Sequence, residues 1–341
     1  MPAKKALIIS LLPLAPVKCG MQNTIYLLYK YLKKKNIKVF FFEIKTNNTI
    51  DPIIDLKHEK KIHVKLSNTI KKVKPDLIFV NTTKCLQIYE DVFLKKKLFK
   101  TILVVHDLYF FRRKYFKQIN IIDKTPLNEK KELDVIKKTN FFIDFSNDEF
   151  KYLMKNKIDN KKSIRTMTPT DKFNKINLSH KKKYDILYTS SNWTQNKINF
   201  LWFLYKMKYK KNRIKILVNG FLNDKKIDKK KVTIKKYSKY NFTLCKLGVA
   251  IIKSGTGRKV KIFEMLASGI PVVTNLDLSE FGLKINKHYF YLSKINSMNS
   301  RINLLLNDLK FRKKLSLNGH MWSKNNSYYP KAFKQINKIL I

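Results

Sequence analysis

Short apolar runs alternate with longer amphipathic segments along almost the whole of this 341-residue chain. "ALIISLL" leads into a helical pattern across "MQNTIYLLYKYLKKK", and "IKVFFFEI" follows. A helical pattern near 62–73 precedes "PDLIFVN", another near 84–96 precedes "TILVVHD", and "EKKELDVIKK" leads into "FFIDFS". A further helix starts at Asn147 or Asp148, either of which suits an N-cap. Strands that are apolar throughout are buried on both faces, and their alternation with helices predicts parallel βαβ units.

The series then restarts. "KYDILYTSS", "IKILVNG", "KVTIKKY", "LGVAIIK" and "IPVVTN" are strands; "QNKINFLWFLYKMKYK", "KYNFTLC" and "RKVKIFEMLAS" are helices between them. Late helices cover about 294–308, 309–318 and 329–340. The polar, lysine-rich "TPTDKFNKINLSHKKK" at 168–183 separates the two series as a linker. The expected fold class is α/β, with two Rossmann-like domains facing each other across a cleft. Residues 1–170 form the first domain, 171–325 the second, and a C-terminal helix within 326–341 packs back toward the first. Ligands of such sheets bind beyond the carboxyl ends of the strands. That rule places residues 13–20, Asn81, His106, Ser146, residues 190–192, Gly220 and residues 255–261 around one cleft.

Charge complicates this ordinary picture: 73 Lys+Arg against 24 Asp+Glu give a net charge of +49. Arginine is rare, at 112, 113, 165, 213, 258, 301 and 312, so the excess is lysine, accompanied by many Asn, Ile, Phe and Tyr. AT-rich codon drift produces that composition, with the lysines on a solvated surface. A nucleic-acid binder usually mixes arginine with lysine on one face. The shortage of acids is not explained by drift, which keeps contact with an anionic membrane surface open. Cys19, Cys85 and Cys245 are odd in number and far apart, with no metal-type spacing, in keeping with a reducing compartment. The opening "MPAKKALIISLLPLAPVKCG" imitates a signal peptide, but Pro13 and Pro16 interrupt its apolar run and a first buried strand accounts for it better. No apolar run approaches the roughly 18 residues of a membrane span. The expectation is a soluble cytoplasmic protein, with peripheral membrane contact as a candidate.

One stretch concentrates chemistry: "IIKSGTGRKVKIFEMLASGIPVVTN", residues 251–275. Gly255 and Gly257 follow a strand, and a helix begins near Arg258. Glycines at such a turn let backbone amides approach a ligand, and the helix start adds partial positive charge to Arg258, Lys259 and Lys261. This suits phosphate or diphosphate. It is not a P-loop, and Val260 stands where a GxGxxG motif would have its third glycine. Glu264 follows Lys261 on the same helix face, where a carboxylate accepts from two vicinal hydroxyls such as those of a ribose. Taken locally, a surface lysine–glutamate pair fits equally well.

"GTGRKVKIFEMLASGIPVVTN" with the later "EFGL" resembles the nucleotide-sugar signature of GT-B glycosyltransferases, in particular the retaining family 4 (glycosyl transferases group 1). The match runs without a gap from Gly255 to Pro271 and resumes at Gly282–Leu283; "SSNWTQNKINFLWFL" looks like the family's strand–turn–helix upstream. The resemblance implies that Glu264 holds the ribose and that Lys261, with Arg258 or Lys259, faces the diphosphate. It places Gly255, Gly257, Ser190 and Asn192 around the nucleotide. It makes His106, at the end of "TILVVH", a donor-sugar contact, although a lone histidine there is as often structural. Gly20 closes the loop where family members admit an acceptor or phosphate. Thr256 stands where the family often has a second glutamate, and the "SSN" turn lacks a usual glycine.

Such an enzyme needs no metal or cofactor: amides and cations aimed at the leaving diphosphate stabilise its growing charge. No Asp-x-Asp motif occurs in the chain. The implied reaction moves a hexose from a nucleotide-diphosphate sugar to a glycan or lipid-linked acceptor hydroxyl, as in lipopolysaccharide or capsule assembly. Acceptor choice falls to loops such as "LPLAPVKCG" and the basic, aromatic "HDLYFFRRKYFKQ". Two other readings compete. A non-hydrolysing sugar-nucleotide epimerase shares the double Rossmann form and needs no acceptor. A polyanion-binding protein would make the charge itself the function, yet no helix-turn-helix, zinc-finger or RNP-like pattern points to specific nucleic acid.

Overall fold

A computed structural model describes residues 3–17, 19–45, 56–93, 99–118, 128–144, 146–174, 176–179, 181–191, 194–209, 213–220, 227–253 and 259–340. Contacts divide the chain into two units, one of Met1–Met167 with Phe333–Ile341 and one of Thr168–Gly255 with Lys259–Ala332.

The first unit runs β1 (Lys5–Ser10), α1 (Gly20–Lys34), β2 (Lys38–Glu43), α2 (Leu56–Val73), β3 (Leu77–Asn81), α3 (Thr83–Phe93) and β4 (Lys100–Val104). It continues with α4 (Tyr109–Gln118), α5 (Glu129–Lys137), β5 (Phe141–Asp144), α6 (Asn147–Lys155) and β6 (Ser163–Arg165). The strands pair in parallel in the order β2-β1-β3-β4-β5-β6. Ala6, Leu7, Ile8 and Ile9 of β1 all exclude solvent, which is why the strand reads as one unbroken apolar run.

The second unit runs β7 (Tyr184–Ser190), α7 (Thr194–Lys206), β8 (Ile216–Gly220), β9 (Val232–Lys235), α8 (Tyr240–Thr243), β10 (Cys245–Ala250) and α9 (Val260–Ser268). Then come β11 (Val272–Thr274), β12 (Phe290–Tyr291), α10 (Met298–Asn307), α11 (Leu309–Asn326) and α12 (Tyr329–Ala332). The sheet order is β12-β11-β10-β7-β8-β9, again parallel. Counted from β7, this is the Rossmann order 3-2-1-4-5-6, so the order reverses between β7 and β10. In the first unit it reverses between β1 and β3. Among the described residues no helix is long and apolar enough to cross a membrane.

Several elements differ from the sequence pattern. The stretch read as the loop "HDLYFFRRKYFKQ" is largely helix α4, with Tyr109, Arg112 and Phe116 buried. Ser146, not Asn147 or Asp148, is the N-cap of α6. The glycine at 319 does not stop α11: a Cβ there would stand 2.9 Å from the His288 carbonyl oxygen, so it permits close packing. The segment 329–340 is not one helix but α12, a 3₁₀ turn and α13 (Asn337–Leu340). Phe333, Ile336 and Ile339 are all buried, and their three-residue spacing suits the tighter turn better than a 3.6-residue period. Tyr31 of α1 holds this end, its ring 5.6 Å from that of Phe333 and its hydroxyl donating to Asn337 Oδ1 at 2.7 Å. The lysine-rich stretch 168–183 is tied into the second unit: Thr170 N donates to Ser327 O at 2.7 Å and Ile176 N to Ser268 O at 3.0 Å.

Candidate functional site

The point of strand reversal in the second sheet opens beyond the ends of β7 and β10, where a doubly wound sheet leaves a crevice. Past β10, the chain is pinned on both sides. Ile252 N donates to Asn275 Oδ1 at 2.8 Å, and Lys253 N donates to Asn199 Oδ1 at 2.9 Å. Helix α9 then begins with Lys259 as N-cap, without a side-chain cap and with no acid in its first turn. Amides at such a terminus favour an anion.

Lys261 is the second residue of α9. Its Nζ stands 5.2 Å from the centre of the buried Tyr188 ring and donates to Asn196 Oδ1 at 3.3 Å. Asn196 Nδ2 in turn donates to Ser191 Oγ at 2.8 Å, so the turn after β7 is linked to α9 through α7. Burial, with the adjacent charge of Lys259, pulls the Lys261 ammonium down to about 8. A poorly solvated cation of this kind gains most when a phosphate supplies the missing counter-charge.

Glu264 is 6% exposed, which removes the surface-pair alternative. Tyr237 lies in its field, and burial together with that carboxylate pushes the tyrosine pKa up. Tyr237 sits in the bend after β9 that the amides of Asn219 and Asn241 grip. Ser238 N donates to Asn219 Oδ1 at 2.9 Å, and Asn241 Nδ2 donates to Asn219 Oδ1 at 2.8 Å and to Lys236 O at 2.9 Å. At the end of β8, Gly220 has φ +132°, and a Cβ there would lie 1.8 Å from the Ser190 carbonyl oxygen. That contact fixes the neighbouring strand ends at a spacing only glycine allows. Ser190 Oγ donates to Ser191 O at 3.3 Å.

The first unit places Gly20 and His106 at the carboxyl edge of its own sheet. Gly20 is the first residue of α1, and its carbonyl accepts from Thr24 Oγ1 at 3.1 Å. Gln22 Nε2 holds the preceding loop through Pro13 O and Pro16 O, both at 2.7 Å. His106 follows β4 by two residues and is 6% exposed. Two buried glutamates fix the chain just beyond it. Glu149 accepts from Leu108 N at 2.8 Å; Glu132 accepts from Tyr109 N and Phe110 N, both at 3.0 Å, and from Thr83 Oγ1 at 2.7 Å. These carboxylates take up amides at the start of α4, whose first turn has no acid of its own.

Of the residues singled out from sequence, Ser190, Lys259, Lys261 and Glu264 therefore gather at the second sheet's crevice, while Gly20 and His106 belong to the first unit. Asn192, Gly255, Gly257 and Arg258 lie outside the described residues. Sequence reasoning missed Asn199, Tyr237, Glu132 and Glu149, whose partners are set by strand order and not by local spacing. Among the described residues no group of three or more His, Cys, Asp and Glu side chains converges as a metal site.

No protein-family model matches the sequence, and no curated protein matches it. Solved structures match it in shape. The sucrose-phosphate synthase of Thermosynechococcus elongatus superposes with a TM-score of 0.75 at 14% identity, over 99% of this chain and 98% of its own. Anabaena HepE, solved in complex with UDP and glucose, gives 0.70 at 13% identity over 99% of both chains. The lipopolysaccharide outer core galactosyltransferase WaaB in its apo form gives 0.66 at 12% identity over 99% of both chains. The chain thus has the two-sheet α/β fold of GT-B glycosyltransferases.

Proposed function

We propose that the protein is a glycosyltransferase that takes a sugar from a nucleotide-diphosphate donor and passes it to a hydroxyl of a glycan or lipid-linked acceptor. The observation that carries this reading is the buried carboxylate of Glu264, one helical turn beyond the depressed lysine Lys261, at the uncapped start of α9 and at the point of strand reversal. A carboxylate and a cation one turn apart match a ribose and its diphosphate. The fold likeness to sugar transferases, one of them solved with UDP and glucose, supports the same reading and makes a uridine diphosphate sugar the first donor to try.

In this reading Glu264 accepts from the ribose hydroxyls, and Lys261, with Arg258 or Lys259, faces the diphosphate. As the bond from the anomeric carbon to the β-phosphate oxygen breaks, negative charge gathers on the diphosphate and is stabilised by Lys261 and the α9 amides. The acceptor oxygen attacks the same face of the sugar, and its proton passes to the departing diphosphate. Configuration is retained and no metal is required. The family 4 likeness assigns His106 to the donor sugar and Gly20 to the acceptor side. A cytoplasmic location and contact with an anionic membrane surface, for which the net charge of +49 is suited, belong to the same proposal.

The test supplies uridine, guanosine and adenosine diphosphate sugars with and without short-glycan and lipid-linked acceptors, following nucleotide release and anomeric configuration by NMR. Acceptor-dependent release with retained configuration, lost in Glu264→Ala, is expected. A changed nucleotide-sugar formed without acceptor supports the epimerase instead, and no turnover with salt-erased, unselective binding supports a polyanion binder.

A further inference from the structure

Helix α11 is anchored by one face only. Arg312, Leu315, Ser316, Gly319, Trp322 and Ser323 are its buried residues. That side lies on α9: the Trp322 ring stands 6.0 Å from that of Phe263, and a Cβ at position 319 would come within 2.8 Å of the Leu266 side chain. At about 100° per residue, an opposite arc of about 140° carries Leu309, Leu317 and Met321 among Lys310, Lys313, Lys314 and Lys324. Leu317 is 47% exposed and Met321, one turn on, 46%; the four lysines are exposed as well. Asp308 is the sole acid in the sequence from Met298 to Asn326, and its side chain is occupied in capping α11, accepting from Phe311 N at 2.8 Å. The outward face of a helix in a soluble domain is ordinarily polar, with both signs of charge interspersed. This one is apolar and cationic.

We infer that the outer face of α11 docks on an anionic lipid bilayer, with Leu317 and Met321 entering the headgroup layer and the four lysines meeting lipid phosphates around them. The inference rests on the membrane contact of the proposed function and deepens it by naming the surface. Lysine stems flank the apolar pair while their ammonium groups stay at the level of the phosphates. A symmetric contact with a second copy of the chain does not suit this face, since cation would meet cation with no acid between. Nucleic acid suits it less, because the arc has no arginine and no aromatic ring on which a base could stack. Because α11 packs on α9, docking holds the helix of the candidate donor site one helix layer from the bilayer.

The test sediments the full-length protein with vesicles of phosphatidylcholine, with and without about one third phosphatidylglycerol, at physiological salt. Leu317→Ser/Met321→Ser removes the apolar pair and keeps the charge. Lys310→Gln/Lys313→Gln/Lys314→Gln removes charge from the face. Lys151→Gln/Lys155→Gln/Lys161→Gln is the control, taking the same charge from exposed lysines of the first unit. Every replaced residue is exposed, so all three variants are expected to melt with wild type. Wild type is expected to bind the anionic vesicles and to leave phosphatidylcholine alone. The α11 lysine variant weakens that binding at least about tenfold, the scale of three cations at a charged surface. The serine variant weakens it at least about threefold, since less apolar area enters the bilayer. The control weakens it less than about twofold, because a cation away from the contact is screened. Either α11 variant binding like wild type, or a control that loses as much as the α11 lysine variant, overturns the inference and leaves general charge attraction to membranes standing. Wild type that ignores anionic vesicles overturns the membrane contact itself.

Discussion

The two sheets have nearly the same architecture and use acid in opposite ways. Both are six-stranded and parallel, and both reverse order near the middle. At the carboxyl edge of the first sheet, Glu132 and Glu149 are turned inward to saturate the amides at Leu108, Tyr109 and Phe110. At the edge of the second, α9 starts with no acid in its first turn and with Lys259 and Lys261 beside it. One helix start is closed by the protein's own carboxylates, and the other is where the proposed function places an anion. The fold permits both, so the function of each edge is read from where charge is placed.

The largest effect expected from disturbing this contrast is in the first unit. Glu132→Ala strips acceptors from the Tyr109 and Phe110 backbone amides and the buried Thr83 hydroxyl, and is expected to destabilise by roughly 3 kcal/mol in urea unfolding. Glu132→Gln, which keeps an acceptor oxygen, loses less. A loss below about 1 kcal/mol for the alanine variant would show that α4 does not depend on this cap. Next comes Gly220→Ala. Its Cβ would meet the Ser190 carbonyl oxygen at 1.8 Å with φ at +132°, so a drop of about 2 kcal/mol or more in denaturant stability is expected.

The smallest effect concerns Lys261. Because its folded-state pKa is pulled from 10.5 to about 8, the unfolded chain binds this proton more tightly. The free protein should therefore gain stability from this group as pH rises from about 8 toward 10.5. Nucleotide affinity should move the other way, weakening as pH rises through about 8, because a diphosphate needs the charged form. Lys261→Met is expected to bind nucleoside diphosphate about tenfold more weakly and to lose this pH dependence while melting no lower than wild type. Calorimetric titration at pH 7 and pH 9 reads both.

Much of this is legible in the amino-acid sequence. β1, β3, β4, β7 and β10 announce themselves because strands covered on both faces carry near-continuous apolar runs. The strands β6 and β12, three and two residues long, carry too few positions to show a period. α4 was hidden because its cap comes from Glu132, 23 positions beyond Tyr109. Lys261 and Glu264 could be paired from spacing on one helix face. Asn199 and Tyr237 could not, since they reach β10 and α9 only once β7, β8 and β9 lie beside them in the Rossmann order.

The central claim is that the start of α9 receives the diphosphate of a nucleotide whose ribose rests on Glu264. Its most direct measurement is calorimetric titration of UDP, GDP, ADP and CMP into wild type and Glu264→Ala at moderately high salt, with pyrophosphate as control. Selective binding of one nucleoside diphosphate that pyrophosphate does not match, lost in Glu264→Ala, is the expected result. Equal, salt-erased binding of every anion, unchanged in Glu264→Ala, would contradict it.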